Sequence, residues 1–120
     1  MTASTLDIQE RDVDDVTIMT LTGKMTLDDG DLLFRRHVHA LLERGRKKIL
    51  AHMGAVSVID SSGVGMMVAK LKTVREAGGD IKLTHLTNRS GHLLGLLKLN
   101  TVFDVHDDEA VALKSFAWTR

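Results

Sequence analysis

The chain has 120 residues, 43% of them hydrophobic and 27% charged, the size and balance of one ordinary globular domain spanning residues 1–120, with its core over about residues 5–117. Sixteen basic residues offset sixteen acidic ones, so the chain lacks the basic excess of a nucleic-acid binder, and an aromatic content of 3% leaves no stacking platform for bases. The absence of cysteine excludes disulfides and thiolate metal sites, no apolar run reaches membrane-spanning length, and the acidic first twenty residues do not read as a signal peptide, so a cytoplasmic location is expected.

Residues 6–9 read as a short strand, residues 11–15 as a polar turn, and Val16, Ile18, Met19 and Leu21 as a β-branched strand ending at Gly23, together an opening hairpin. Asp28, Asp29 and Asp31 place negative charge at a helix start, Phe34, Val38, Leu41 and Leu42 recur at helical spacing, and Gly45 stops the helix. Ile49, Leu50, Ala51 and Met53, continued by Val56, Val58 and Ile59, predict a buried strand that runs into Asp60-Ser61-Ser62-Gly63. Val64, Met67, Val68, Leu71 and Val74 then follow the i, i+3, i+4, i+7 pattern of a helix ended by Gly78-Gly79. Ile81, Leu83 and Leu86 predict a strand, Leu93, Leu96 and Leu97 a short helix, Val102, Phe103 and Val105 a last strand, and Asp107 and Asp108 the cap of a terminal helix. Strands alternating with helices through short loops imply an α/β fold: one mixed, largely parallel sheet of about five strands behind an antiparallel hairpin, with about four helices.

Charge is balanced overall but not locally. Residues 1–31 carry a net −6 and residues 32–53 a net +5, which is expected to resolve into solvated faces and ion pairs within the chain. The chemistry concentrates in Val58-Ile59-Asp60-Ser61-Ser62-Gly63-Val64-Gly65-Met66, where small polar residues stand between a parallel strand and a helix. Asp60 or a serine is expected to cap the helix, with Ser61 and Ser62 at or beside the N-cap, where free amides and the helix dipole favour a hydroxyl or a phosphate. The glycines follow the serines, so this is no nucleophile elbow, and it lacks the lysine of a phosphate-binding loop and the dinucleotide glycine pattern. No general base is evident beside either serine, which favours a binding module over an enzyme.

The run from Ile59 to Gly65, preceded by Val58 and followed by residues 72–79, resembles the STAS domain of bacterial anti-sigma factor antagonists. The hairpin, the segment Leu21-Thr22-Gly23-Lys24-Met25, the Asp-Ser-Ser-Gly-hydrophobic-Gly turn and the helix ending in Gly-Gly extend the likeness over residues 5–117. The resemblance implies a phosphoprotein with no cofactor of its own, phosphorylated on Ser61 by a partner that is both serine kinase and anti-sigma factor, and restored by a serine phosphatase. It implies that the unphosphorylated form binds that partner and frees a sigma factor through Asp60, Ser61, Ser62, Gly63, Val64 and Gly65, with Asp28 on the neighbouring loop. Related domains also serve stress-sensing scaffolds and lipid-transport complexes, which is the alternative reading. The chain departs from the family at His52, where an acidic or amide residue is common.

Six histidines raise the question of a metal. His37 and His39 are two apart and so point to different sides of a helix, and His52 and His85, at the ends of adjacent strands, have no carboxylate or cysteine to complete a ligand set, so no metal is expected. Arg44, Arg46, Lys47 and Lys48 read as a solvated helix exit. Leu93, Leu94, Leu96, Leu97 and Leu99 supply more apolar surface than one face of a short helix holds, leaving self-association open.

Overall fold

The computed structural model describes residues 6–26, 29–99 and 101–118, with side chains except those of residues 29–31 and 118. Ten elements follow in chain order: β1 (Leu6–Val13), β2 (Val16–Met25), α1 (Asp29–Glu43), β3 (Lys48–Ile59), α2 (Ser61–Glu76), β4 (Asp80–Thr84), α3 (Asn88–Leu96), β5 (Asp104–His106), α4 (Glu109–Ser115) and a closing 3₁₀ turn, Phe116–Trp118. The strands lie in the order β1-β2-β3-β4-β5, antiparallel between β1 and β2 and parallel thereafter. This is the α/β mixed sheet that the sequence predicts. Strand order never reverses, so there is no topological switch point, and the parallel strands β2, β3 and β4 all end along the same edge.

Periodicity explains the layers. Alternate residues of β1 to β4, among them Ile8, Met19, Leu21, Ile49, Ala51, Ile81 and Leu83, meet Phe34, Val38 and Leu41 of α1, Val64, Met67, Leu71 and Val74 of α2 and Leu94 of α3 in one aliphatic core. The other sheet face carries a smaller core, in which Val16, Ile18 and Leu50 pack against Ala112 and Phe116. Among the described residues, no helix is long and apolar enough to cross a membrane.

The first strand is longer than its sequence suggests. Residues 10–13 belong to β1, paired with residues 16–19 of β2, and the turn shrinks to Asp14 and Asp15, with Asp14 at φ 54°. Polar contacts hold these charged residues in a strand: Glu10 is hydrogen-bonded to His37 at 2.6 Å, and ion pairs join Arg11 to Glu109 at 2.9 Å and Asp12 to Arg46 at 3.1 Å. Lys48 reaches Asp15 at 2.6 Å, and Arg44 stands 3.8 Å from both Glu10 and Asp12. The acidic and basic blocks of the sequence thus neutralise each other within the fold, as expected. At the other end, β5 begins at Asp104, and Val102 and Phe103 precede it, Phe103 as a core residue.

Lys82 is 5% exposed on the α4 side of the sheet. Its ammonium donates to Ser115 Oγ at 2.8 Å, pairs with Asp104 at 3.1 Å and sits 4.7 Å from the centre of the Phe116 ring. Burial pushes the Asp104 carboxyl up, but the hydrogen bonds from His106 and Lys82 outweigh it and hold the group below the usual carboxylate range. A carboxylate depressed in the folded state stabilises above its unfolded value and is lost as pH falls through its folded one, so this contribution fades only in acid, below about pH 4. Asp104→Ala strands a buried ammonium and is expected to cost about 2 to 3 kcal/mol, against about 1 kcal/mol or less for Lys82→Met, which removes the charge and keeps the packing. Urea unfolding of the two variants checks that order.

Candidate functional site

The geometry of the Asp60 turn begins in the sheet. Near their carboxyl ends β2 and β3 stay paired as far as Met25 with Ile59, after a register shift at Gly23, whose φ of 110° only glycine adopts readily. The chains leaving β2 and β3 therefore emerge side by side, and Asp60 N donates to Met25 O at 3.4 Å across that edge.

Asp60 is the N-cap of α2. Its backbone is extended (φ −114°, ψ 179°), its Oδ1 accepts from Gly63 N at 2.9 Å, and its carbonyl accepts from Val64 N at 3.0 Å. Of the two capping options open in the sequence, the aspartate takes the position, and Ser61 and Ser62 become the first two helical residues. Asp60→Ala is expected to cost about 1 kcal/mol, the usual loss for an N-cap, while Ser61→Ala costs less than half that, since Ser61 caps nothing. Thermal unfolding of the two variants measures the difference.

Ser61 is exposed, and no described residue forms a hydrogen bond with its hydroxyl. Ser62 and Asp60 are half-buried, and Gly65 is exposed with open space where a Cβ would stand. Gly63 and Val64 differ from the sequence expectation. Gly63 is buried, and a Cβ there would lie 2.2 Å from Met25 O; Val64 is 1% exposed in the main core. Both lie beneath the surface, so any part they take in binding is indirect, through the placement of the helix. The signal was present in the sequence, because Val64 opens the apolar stripe of α2. Half-buried Met66, beside exposed Gly65, packs against the main core. Asp28 lies outside the described residues; Thr26, which leads towards it, leaves the sheet at the same edge as Asp60.

Ser61 has no base within hydrogen-bond reach among the described residues. The helix start suits a phosphate there: the dipole favours negative charge and Ser62 N belongs to the first, unpaired turn, although Asp60 already holds Gly63 N. The remaining candidates separate in space. His37 pairs with Glu10, His39 lies 2.9 Å from Lys70 Nζ, and His52 stacks on His85; among the described residues no group of three or more His, Cys, Asp or Glu side chains could hold a metal ion.

The STAS domain family model matches residues 7–112. The chain belongs to the STAS domain family. A Thermotoga neapolitana protein, whose name carries a provisional assignment as an anti-sigma factor antagonist, is 28% identical over 102 residues, which cover 85% of this chain and 90% of that protein. The anti-sigma F factor antagonist of Paenibacillus polymyxa is 24% identical over 98 residues, 82% of this chain and 84% of that one. Among solved structures, an anti-sigma factor antagonist from Mycobacterium paratuberculosis superposes with a TM-score of 0.81 at 14% identity, covering 93% of this chain and 94% of that one. The Bacillus cell fate determinant SpoIIAA in its phosphorylated form superposes with a TM-score of 0.70 at 17% identity, over 91% and 98% of the two chains. These structural likenesses concern the fold alone.

Proposed function

We propose that this STAS domain is an anti-sigma factor antagonist whose unphosphorylated form binds an anti-sigma factor that is also a serine kinase, and whose phosphorylation on Ser61 ends that binding. The observation that carries the reading is the exposed Ser61 hydroxyl at the first helical position of α2, held in place by the Asp60 cap and the close seating of Gly63 on β2. The curated relatives named as antagonists of anti-sigma factors support the same class of partner.

In this reading the kinase brings its own nucleotide and base. The Ser61 oxygen attacks the terminal phosphoryl group of ATP, the hydroxyl proton leaves to the kinase, and ADP departs. The product adds about −1.5 to −2 charge beside Asp60. At a helix start that charge leaves folding intact, while at a contact with an acidic or apolar partner surface it brings repulsion and desolvation, so binding is lost and a phosphatase restores it. The contact surface is formed by Asp60, Ser61, Ser62 and Gly65, with Asp28 as a further contact residue, and Gly63 and Val64 support it from below. This chain supplies no cofactor.

A pull-down from the native host with tagged wild type, Ser61→Ala and Ser61→Asp, read by mass spectrometry for partners and phosphosites, tests the proposal. Recovery of an ATP-binding anti-sigma factor with wild type and Ser61→Ala but not Ser61→Asp, with phosphate on Ser61 of the wild type, is the expected result. Partners indifferent to Ser61, such as a transporter or a large scaffold assembly, would overturn it.

A further inference from the structure

His52 and His85 lie outside the Ser61 surface and form a site of their own. Their rings stack with centroids 4.1 Å apart and planes 9° from parallel. His52 stands in β3, where its Nδ1 accepts from Gly54 N at 3.2 Å, so that in the neutral ring the proton is on Nε2. His85 follows the last residue of β4 at φ 58°, a left-handed conformation that turns the chain out of the sheet and its ring back over β3. Gly54 leaves the room: a Cβ there would meet His52 Cε1 at 2.8 Å and His85 Cβ at 3.3 Å.

The stack sits where the two strands part. β3 continues to Ile59, while β4 ends at Thr84 and the chain crosses to α3, whose N-cap Thr87 accepts from Ser90 N and whose Arg89 donates to Ser57 O at 3.3 Å. Thr84, in register with His52, is fully buried, and its hydroxyl has no hydrogen-bond partner. Among the described residues no hydrogen bond is made by the His85 side chain. The ring contact is therefore one fastening of this corner to the sheet, beside the Arg89 bond and the packing of Leu86 and Leu94 against the main core.

We propose that the His52–His85 stack is a proton-operated clasp, which holds the β4–α3 connection on β3 at neutral pH and releases it in acid. Two stacked imidazoles tolerate one proton, but two unit charges 4.1 Å apart, on half-buried His52 and exposed His85, repel. The charged groups facing His52 from other elements are Glu109 at the start of α4 and Arg11 on β1, which pair with each other at 2.9 Å; His106, two strands away on β5, is held by Asp104 at 2.9 Å. Burial, then His85, and more weakly Arg11 hold His52 below its usual 6.5, and Glu109 opposes them. For a histidine depressed in the folded state the fold prefers the neutral ring. The clasp is therefore whole above the usual value and weakens as pH falls from there towards the lower folded value. The inference does not depend on the partner or on Ser61.

Hydrogen exchange of the Ser90 and Gly91 amides, both bonded to Thr87, reads the clasp in the full chain. Between about pH 7.5 and about pH 5 their protection factors are expected to fall about tenfold in the wild type. In His52→Phe, which keeps a stacked ring without a proton, they are expected to stay within about twofold. Protection in the wild type that is equal at both pH values, or a fall in His52→Phe as large as in the wild type, would overturn the proposal. An NMR titration adds a second test: in His85→Asn, a residue at home in the left-handed conformation, His52 must titrate higher than in the wild type. An unmoved His52 would contradict the coupling.

Discussion

Replacing Gly63 by alanine is expected to cost about 2 to 3 kcal/mol of folding stability, whereas the same change two residues on, at Gly65, is expected to gain up to about 1 kcal/mol. Both glycines lie in the first turns of α2, and by helix propensity alone both substitutions should help. Packing decides between them. A Cβ at Gly63 would lie 2.2 Å from Met25 O, 2.9 Å from Met25 Cγ and 3.0 Å from Met25 C, and two of those atoms are backbone that cannot swing aside. The only relief is for α2 to lift from the end of β2, which stretches the Asp60 N to Met25 O bond and disturbs the cap that positions Ser61. At Gly65 a Cβ meets nothing within 4 Å. Urea unfolding curves for the two variants give the comparison directly, and a similar effect at both positions would contradict the packing described here. Gly63→Ala is also expected to weaken partner binding in its folded fraction, although residue 63 is buried.

The second large effect concerns binding. Ser61→Asp is expected to reduce affinity for the anti-sigma partner by about a hundredfold or more, and Ser61→Ala by less than about threefold, with neither variant shifting stability by more than about 0.5 kcal/mol. The side chain is exposed and caps nothing, so little folding energy depends on it. An added carboxylate would stand next to Asp60, and the positive end of α2 accommodates that charge within the monomer. Against a partner surface that has closed over the turn and excluded water, the same charge finds no basic residue in the first turn of α2 to offset it. Titration calorimetry with the purified partner separates the two variants, and circular dichroism confirms that their folds match.

The residues explain what could be read in advance and what could not. The apolar positions of α2, Val64, Met67, Leu71 and Val74, are buried at their predicted spacing, because an amphipathic helix against a sheet imposes its own period. The two apolar runs before Asp60 form one strand, Lys48–Ile59, broken only in its register with β2. Residue 10 falls outside the predicted strand and residues 11 and 12 inside the predicted turn, because local pattern counts charges against a strand. Their partners, His37, Glu109 and Arg46, lie 27 to 98 positions away, and no local window reveals them. Leu96 and Leu97 are 66% and 41% exposed, so the leucine-rich helix leaves part of its apolar surface uncovered, as its composition implied. In the site itself, Asp-Ser-Ser-Gly announced a strand-to-helix turn, but not which residue caps it, since aspartate and serine do so equally well. That choice depends on Gly63 N facing Asp60 Oδ1, which is fixed by the seating of the helix on Met25. The proximity of His52 and His85 followed from adjacent strands; their parallel stacking needed the left-handed turn at His85, which the sequence does not signal.

The proposed role of Ser61 as a phosphorylation switch for partner binding is tested most directly with stoichiometrically phosphorylated protein. The wild type is to be phosphorylated by the recovered kinase, the modified residue located by mass spectrometry, and both forms titrated against that kinase in the presence of nucleotide. The expected result is phosphate on Ser61 alone, tight binding by the unmodified protein, no detectable binding by the phosphorylated one, and recovery of binding after phosphatase treatment. Phosphate on Ser62 or elsewhere, or equal affinity of the two forms, would contradict it.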